Sequence, residues 1–331
     1  MHDVLPILFA CVLVAAIAIY VCLDGMDLGI GILYLLAPEE ADRNLMMSTI
    51  EAVWDGNETW LVLGAMVLYA GFPVALAALL PALYLPVVAM LIALVIRGIS
   101  FAFRARAVRS KRAWDFIFSL ASLGAAICQG LILGAYVGGA VVPGHVTPFA
   151  FISWFSAVTA MGLVGGYALL GSTWLVWRTG GSTQTFARKI IRPCLLAVAV
   201  FIVVVSVWTP LAQQEIADRW VSWPNAVFLA LVPAATVIAW VTLWRSIRGH
   251  RDMLPYVLAI SIFGLGLIGL CVSLYPYAVP GQLTIWQAAS RPGTLAVTGI
   301  GLAICLPVVI AYLSFSYWVF RGKVTSKGDY S

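Results

Sequence analysis

Residues 4–23, VLPILFACVLVAAIAIYVCL, run for twenty positions without one charged side chain. A helix needs about 20 apolar residues to cross a ~30 Å hydrocarbon core, so this stretch constrains the fold more than any other feature. Comparable runs recur along the 331 residues. They do not alternate in polarity, which argues against a membrane strand barrel. Hydrophobic residues make up 63% of the chain and charged residues only 10%, against roughly 25% charged in soluble domains. The mean hydropathy of +1.01 agrees. The chain is therefore expected to be an all-α integral membrane protein.

Nine spans are expected, near 4–23 (with a continuation toward Leu36), 53–72, 74–96, 113–136, 150–177, 193–212, 225–244, 255–275 and 294–318. Prolines mark several ends: Pro73, Pro193, Pro255 and the Pro292-Gly293 pair. Proline lacks the donor a helix interior needs, and sits more comfortably in a first turn. The start, His2-Asp3 and then the apolar run, has neither the basic region nor the small-residue cleavage site of a signal peptide. The first span is expected to be retained. No connecting loop exceeds about 20 residues, so the whole of 1–331 reads as one polytopic membrane domain, without a soluble domain, repeat or low-complexity segment.

Charge gives an independent test of topology. The loops near 38–52, 97–112, 178–192 and 245–254, with the tail after Phe320, fall on one side of a nine-span chain. They hold 17 of the 19 Lys and Arg residues, leaving Arg219 and Arg291 on the other side. Positive loops stay cytoplasmic, so the amino terminus is expected to be periplasmic and the carboxyl terminus cytoplasmic. The loop at 38–52 contributes only Arg43. The net charge of +5 thus reflects loop asymmetry and not nucleic-acid binding. The opposite loops carry Trp208, Trp220, Trp223, Tyr275, Tyr277 and Trp286. Such rings usually mark the headgroup level, and packing against a partner or a quinone ring is the other reading.

Four acids stand at the ends of spans. Asp24 and Asp27 lie in LDGMDLGIG, Asp55 and Glu58 in VWDGNETWLVL. Each pair has i, i+3 spacing and shares a helix face, and both pairs fall toward the cytoplasmic side. An ionised carboxylate left to lipid costs at least ~2–3 kcal/mol, so such groups face a wet cavity, pair with a cation or take up a proton. Two pairs at one depth look like a proton-entry path. The structural alternative is interfacial solvation or capping, since an acid such as Asp55 complements a helix N-terminus. Gly25, Gly29, Gly31 and Gly56 surround the acids and permit close helix contact. Arg97, in IRGISFAFRAR, ends span three on the same side; it is a candidate counter-charge or an ordinary positive-inside anchor, as are Arg104 and Arg106.

Haem in a membrane interior normally needs axial His, Met or Cys. The three histidines, His2, His145 and His250, fall in a terminus or in loops. Met66, Met90 and Met161 read as packing. Cys11, Cys22, Cys128, Cys194, Cys271 and Cys305 form no CxxC or Cys/His cluster. No metal site, P-loop or dinucleotide glycine pattern appears. GxGxL at Gly29–Leu33 lies within a helix. Redox chemistry is therefore expected in another chain.

Several segments resemble subunit II of the cytochrome bd quinol oxidases: LDGMDLGIG (23–31), WDGNETWL (54–61) with Trp54, Gly56 and Asn57, RGISFAFR (97–104), LYPYAVP (274–280), LTIWQAASRPGTL (283–295), and a last span ending in YWVFRG. The resemblance covers the full length. The outer loops are shorter than in the longest relatives, a feature similar to the cyanide-insensitive branch. The resemblance implies two four-helix bundles plus one peripheral helix. It implies a heterodimer with a haem-bearing subunit I, which holds the quinol site and either two b-type haems and one d-type or b-type haems only. Small single-helix subunits and a structural quinone are further candidates. The complex would oxidise quinol and reduce oxygen to water, drawing protons from the cytoplasm. Asp24, Asp27 and Asp55 match the acids implicated in proton delivery; Glu58 stands where some members carry glutamine. A proton-coupled transporter is the alternative from another class, although no matching acid pair occurs in spans five to nine. A purely structural subunit, with acids that only pair with cations, is the third reading.

Overall fold

The computed structural model describes residues 4–141, 149–212, 214–223 and 225–324; His2 and His145 lie outside them. The order is α1 (Val4–Leu33), a 3-10 turn (Tyr34–Leu36), α2 (Glu40–Ser48), α3 (Trp54–Gly71), α4 (Pro73–Arg106), α5 (Lys111–Val137), α6 (Trp154–Arg178), α7 (Gly181–Ala212), α8 (Gln214–Val221), α9 (Asn225–Leu229), α10 (Leu231–Ser246), α11 (Leu254–Leu274), β1 (Tyr277–Val279), β2 (Leu283–Thr284), α12 (Ile285–Ala288) and α13 (Pro292–Val319). The two short strands pair antiparallel, Tyr277 opposite Thr284.

Among the described residues, eight helices are long and apolar enough to cross a membrane: α1 with its 3-10 turn, α4, α5, α6, α7, α9 with α10 (Asn225–Ser246), α11 and α13. The 18-residue α3 is not one of these, because its first two turns carry Asp55, Asn57 and Glu58. Pro73, Pro255 and Pro292 open helices. Pro193 does not: it lies inside α7, which begins at Gly181. Nor does span three end at Arg97. It continues to Arg106, with Arg104 and Arg106 in its last turn, where cations complement the helix C-terminus.

The most enclosed span is α6. It packs on α1 along small residues. A Cβ on Gly29 would overlap the Tyr167 carbonyl oxygen, and one on Gly171 would meet the Gly29 and Ile30 backbone at 2.6 Å. Glycine lets two helix backbones approach this closely, and close approach maximises van der Waals contact where no hydrophobic force drives helices together. The same device joins α1 to α5, where Gly31 faces Ser122, and α5 to α6, where Gly130 and Gly134 face Ala160 and Ser156. Residues 24–31, the whole acid-bearing glycine segment, are buried as a result.

One end of the molecule gathers the basic loops. Asp115 binds Arg104 and, at 3.2 Å, Arg43. Lys111 meets Glu40 at 2.7 Å, and this partner holds the exposed Glu40 carboxyl below its usual range. Asp42 accepts from Ser182 and Thr183, both at 2.7 Å. Asp252 meets Arg188 at 2.5 Å and Lys323 at 2.6 Å. The Val324 N–H donates to the Arg178 carbonyl at 2.8 Å. At the other end, the Ser290 N–H donates to the Gly71 carbonyl, Tyr136 to the Ala278 carbonyl, and Trp220 to Ser273. The contacts thus sort the loops into the two groups that charge counting separates.

Gly29→Leu is expected to destabilise the helix assembly by about 1–3 kcal/mol through overpacking, seen as a lower midpoint of thermal aggregation in detergent. A second outcome concerns Asp252. Partial burial pushes its carboxyl up, but the hydrogen bonds from Lys323 and Gln184 and the charges of Lys323 and Arg188 outweigh this and hold it below its usual range. A depressed carboxyl contributes stability above its unfolded value, and that contribution is lost as pH falls through the folded value. Limited proteolysis of the carboxyl-terminal tail should accelerate in acid below the usual carboxylate range, and Asp252→Asn should show the fast rate at neutral pH.

Candidate functional site

Three helices supply a buried ionic cluster. Asp24 and Asp27 come from α1, Asn57 and Glu58 from α3, and Arg97 from α4. The side chains of Arg97 and Asp24 have no exposure. One guanidinium nitrogen, Arg97 Nη2, binds Asp24 Oδ1 at 2.6 Å and also Glu58 Oε1. Glu58 keeps 26% of its side chain exposed. Asp27, one turn from Asp24, accepts from Asn57 Nδ2 at 2.8 Å, and Asn57 Oδ1 accepts from the Tyr317 hydroxyl of α13 at 2.8 Å. Each amide and hydroxyl in that chain is used in one direction only, from Tyr317 through Asn57 to Asp27.

The helix geometry follows from the local sequence. The i, i+3 spacing turns both α1 acids to one side, and the glycines around them bring α6 and α5 close enough to exclude solvent. On α3, a Cβ at Gly56 would strike Leu313 of α13, so the glycine lets α13 close over the cluster and present Tyr317. Trp54 stacks on Phe101 of α4 with ring centroids 5.0 Å apart. Phe101 then meets Phe118, and Phe118 meets Tyr34, at 5.2 and 5.0 Å. On α4, Phe101 of this column lies about one turn from both Arg97 and Arg104.

The charges do not balance within the cluster: three carboxyls face one guanidinium. A charge taken into a low-dielectric interior needs a partner, and Arg97 is the cation that the described residues bring to Asp24 and Glu58. Asp24 Oδ2, Asp27 Oδ1, Arg97 Nε and Arg97 Nη1 are buried and carry no hydrogen bond among the described residues. Buried polar atoms of this kind are costly, about 1–3 kcal/mol each.

Asp55 is not in the cluster. It is exposed in the first turn of α3, on the face of Glu58 and one turn nearer the basic end. Arg104 pairs with Asp115, while Arg106 is exposed. Sequence reading missed Asp115, Tyr317 and the pair Tyr20 and Gln129. Asp115 had a usable signal, an acid inside the expected span 113–136 just after a basic run. The tyrosines and Gln129 had none, because their partners lie on other helices. Among the described residues, no group of three His, Cys, Asp or Glu could hold a metal ion. His250 is exposed in the loop before α11, Met26 accepts a hydrogen bond from Tyr256 at 3.2 Å, and Met66 and Met161 face outward.

Residues 5–320 match the family described as cytochrome bd terminal oxidase subunit II. The chain is similar to cytochrome bd ubiquinol oxidase subunit 2 of Bacillus subtilis, 27% identical over 99% of this chain and 98% of the relative. It is 24% identical to cytochrome bd-I ubiquinol oxidase subunit 2 of Escherichia coli K12, over 92% of this chain and 91% of that one. A chain from the solved structure of the bd oxidase from Geobacillus thermodenitrificans superposes with a TM-score of 0.80 at 16% identity, over 96% of this chain and 98% of that one, and so shares the fold. A full-length match in sequence and in fold makes this multi-pass chain a member of the cytochrome bd terminal oxidase subunit II family.

Proposed function

We propose that the Asp24–Asp27–Glu58–Arg97 cluster loads protons for oxygen reduction in a bd-type quinol oxidase. As a member of its family the chain is a subunit of an oxidoreductase complex of the bacterial inner membrane. The family overturns the transporter alternative. We place the haems and the quinol site in subunit I, the partner in a heterodimer; the three histidines, His2, His145 and His250, which fall in a terminus or in loops of the sequence, support this. Nine spans, with α3 as the short polar one, put the amino terminus in the periplasm and the carboxyl terminus in the cytoplasm. Two four-helix bundles with α13 on the periphery describe the arrangement. The whole of 1–331 then acts as a single membrane domain.

The observation that carries the proposal is the imbalance of three carboxyls against one buried guanidinium, open to the outside only at Glu58. The aromatic column of Trp54, Phe101, Phe118 and Tyr34 supports a route along the flank of α3. Protons reach exposed Asp55, pass to Glu58 on the same face, and enter at Asp24 and Asp27. Arg97 holds Asp24 and Glu58 together and keeps one negative charge in place while another group exchanges its proton. Asn57 orients Asp27 through the Tyr317 hydroxyl. Trp54 and Gly56 seal the entry by packing.

In the two-subunit complex, Asp24→Asn and Asp27→Asn should leave the haem spectrum intact and slow quinol-driven oxygen consumption about tenfold or more, within the range of a lost proton-transfer group. Asp55→Asn should slow it less. Unchanged turnover in both buried variants would reduce the acids to structural partners. Arg97→Met should impair assembly by about 3–5 kcal/mol, since it strands buried acids; adding Asp24→Asn should recover part of the yield of assembled complex.

A further inference from the structure

Arg192 differs from the other enclosed cations. Among the described residues, every other buried or half-buried Lys or Arg binds an oxygen: Arg43 and Arg104 on Asp115, Arg97 on Asp24, Lys111 on Glu40, Arg188 and Lys323 on Asp252, Arg178 on the Phe320 carbonyl and Arg219 on the Val272 carbonyl. Half-buried Arg192 makes no ion pair. Its guanidinium lies over the Trp244 ring, 5.5 Å from the centroid, and its Nε is buried without a hydrogen bond among the described residues.

The register of α7 against α10 places this group. Trp240 Nε1 donates to the Leu195 carbonyl at 3.0 Å, and Arg188 Nη1 donates to the Ile247 carbonyl at 2.7 Å. The two helices therefore run antiparallel, with Arg192 and Trp244 between these ties. Trp244 stacks on Trp240, with centroids 5.5 Å apart. Lys189 on α7, Arg245 on α10 and Arg248 just after it are exposed, each within about one turn of Arg192 or Trp244 along the chain. Neither helix carries an acid. Asp252, which follows α10, is taken by Arg188 and Lys323.

Depth narrows what can answer these charges. Residues 193–212 hold no charged side chain; at 1.5 Å per residue they span roughly 30 Å, the thickness of a hydrocarbon core. Arg192 thus stands where the apolar interior meets the headgroups. One turn deeper, α7 continues as exposed Leu196, Val200, Val203 and Val207, a spacing that keeps to one helix face. An enclosed guanidinium needs an anion, and phosphate oxygens accept strongly from arginine. The surrounding cations favour a headgroup of net negative charge over a zwitterionic one. We infer that α7 and α10 form a docking site for one acidic phospholipid in the leaflet at the basic end. Its phosphate binds Arg192, its headgroup lies among Lys189, Arg245 and Arg248, and an acyl chain runs along Leu196 to Val207.

The test uses the purified two-subunit oxidase in detergent, titrated with fluorescent phosphatidylglycerol and with phosphatidylcholine of the same chains. The readout is the binding lost between wild type and variant. Arg192→Gln should weaken phosphatidylglycerol binding about tenfold, the scale of one hydrogen bond to a charged group, and leave phosphatidylcholine binding unchanged. Arg109→Gln, which removes an exposed cation between α4 and α5, should alter neither. No loss in Arg192→Gln, or an equal loss in Arg109→Gln, overturns the inference, the latter in favour of a diffuse surface field. Displacement of the labelled lipid by glycerol 1-phosphate as effectively as by unlabelled lipid overturns the acyl groove and leaves a free phosphate site. Should Arg192→Gln fail to assemble, Lys189→Gln combined with Arg245→Gln, both exposed, must lower phosphatidylglycerol binding several-fold; unchanged binding there overturns the proposal.

Discussion

The contact on which the site depends is one guanidinium nitrogen shared by two carboxylates. Arg97 Nη2 reaches both Asp24 and Glu58, and with no exposed surface of its own it cannot trade either for water. Removing two charges from water costs several kcal/mol per ion, and the pair survives only with good geometry and further hydrogen bonds. The structure supplies that geometry by building it from three helices at once. α1, α3 and α4 cannot slide relative to one another without separating Arg97 from an acid.

Packing by small residues makes the pairing achievable. Gly25 and Gly29 let α6 press against α1 while Gly31 admits α5, and Gly56 admits α13. A larger side chain at any of these would push a helix outward and let lipid or water reach the acids. The polar donors then arrive from the closed-in helices: Tyr317 from α13 by way of Asn57, and Tyr167 from α6 by way of Gln129. One tyrosine–amide chain thus ends on Asp27, and the other ties α6 and α5 to the Tyr20 hydroxyl of α1. In a low-dielectric interior, each such bond is stronger than in water, and each unmade one is more costly.

The two ends of the molecule are held differently. The basic end is laced by side-chain ion pairs between segments distant in sequence, from Arg43–Asp115 to Lys323–Asp252. The opposite end is joined mainly by hydrogen bonds to backbone carbonyls, as from Ser290 to Ala70 and Gly71 or from Arg219 to Val272. Charged lacing suits a surface beside water and acidic lipid headgroups. The aromatic column from Trp54 to Tyr34 ties α3, α4 and α5 together near both the basic lattice and the buried acids.

The amino-acid order alone determined the class of protein, the acid-bearing segments and the sorting of loops. Each of these rests on a local quantity: length of an apolar run, i, i+3 spacing, or charge per loop. The motif around Asp24 and Asp55 carried the family as well. Helix ends were less legible. Apolar content falls off at Arg97 and Pro193, yet the helices continue past both, because backbone hydrogen bonding within a helix persists into the headgroup region. Only the tertiary structure decided which acids share Arg97, that Asp55 stands apart, and that Asp115, Tyr20, Gln129 and Tyr317 belong to polar networks. Those partners lie between 11 and 260 residues apart along the chain, and nothing in a linear order of residues says which helix faces will meet.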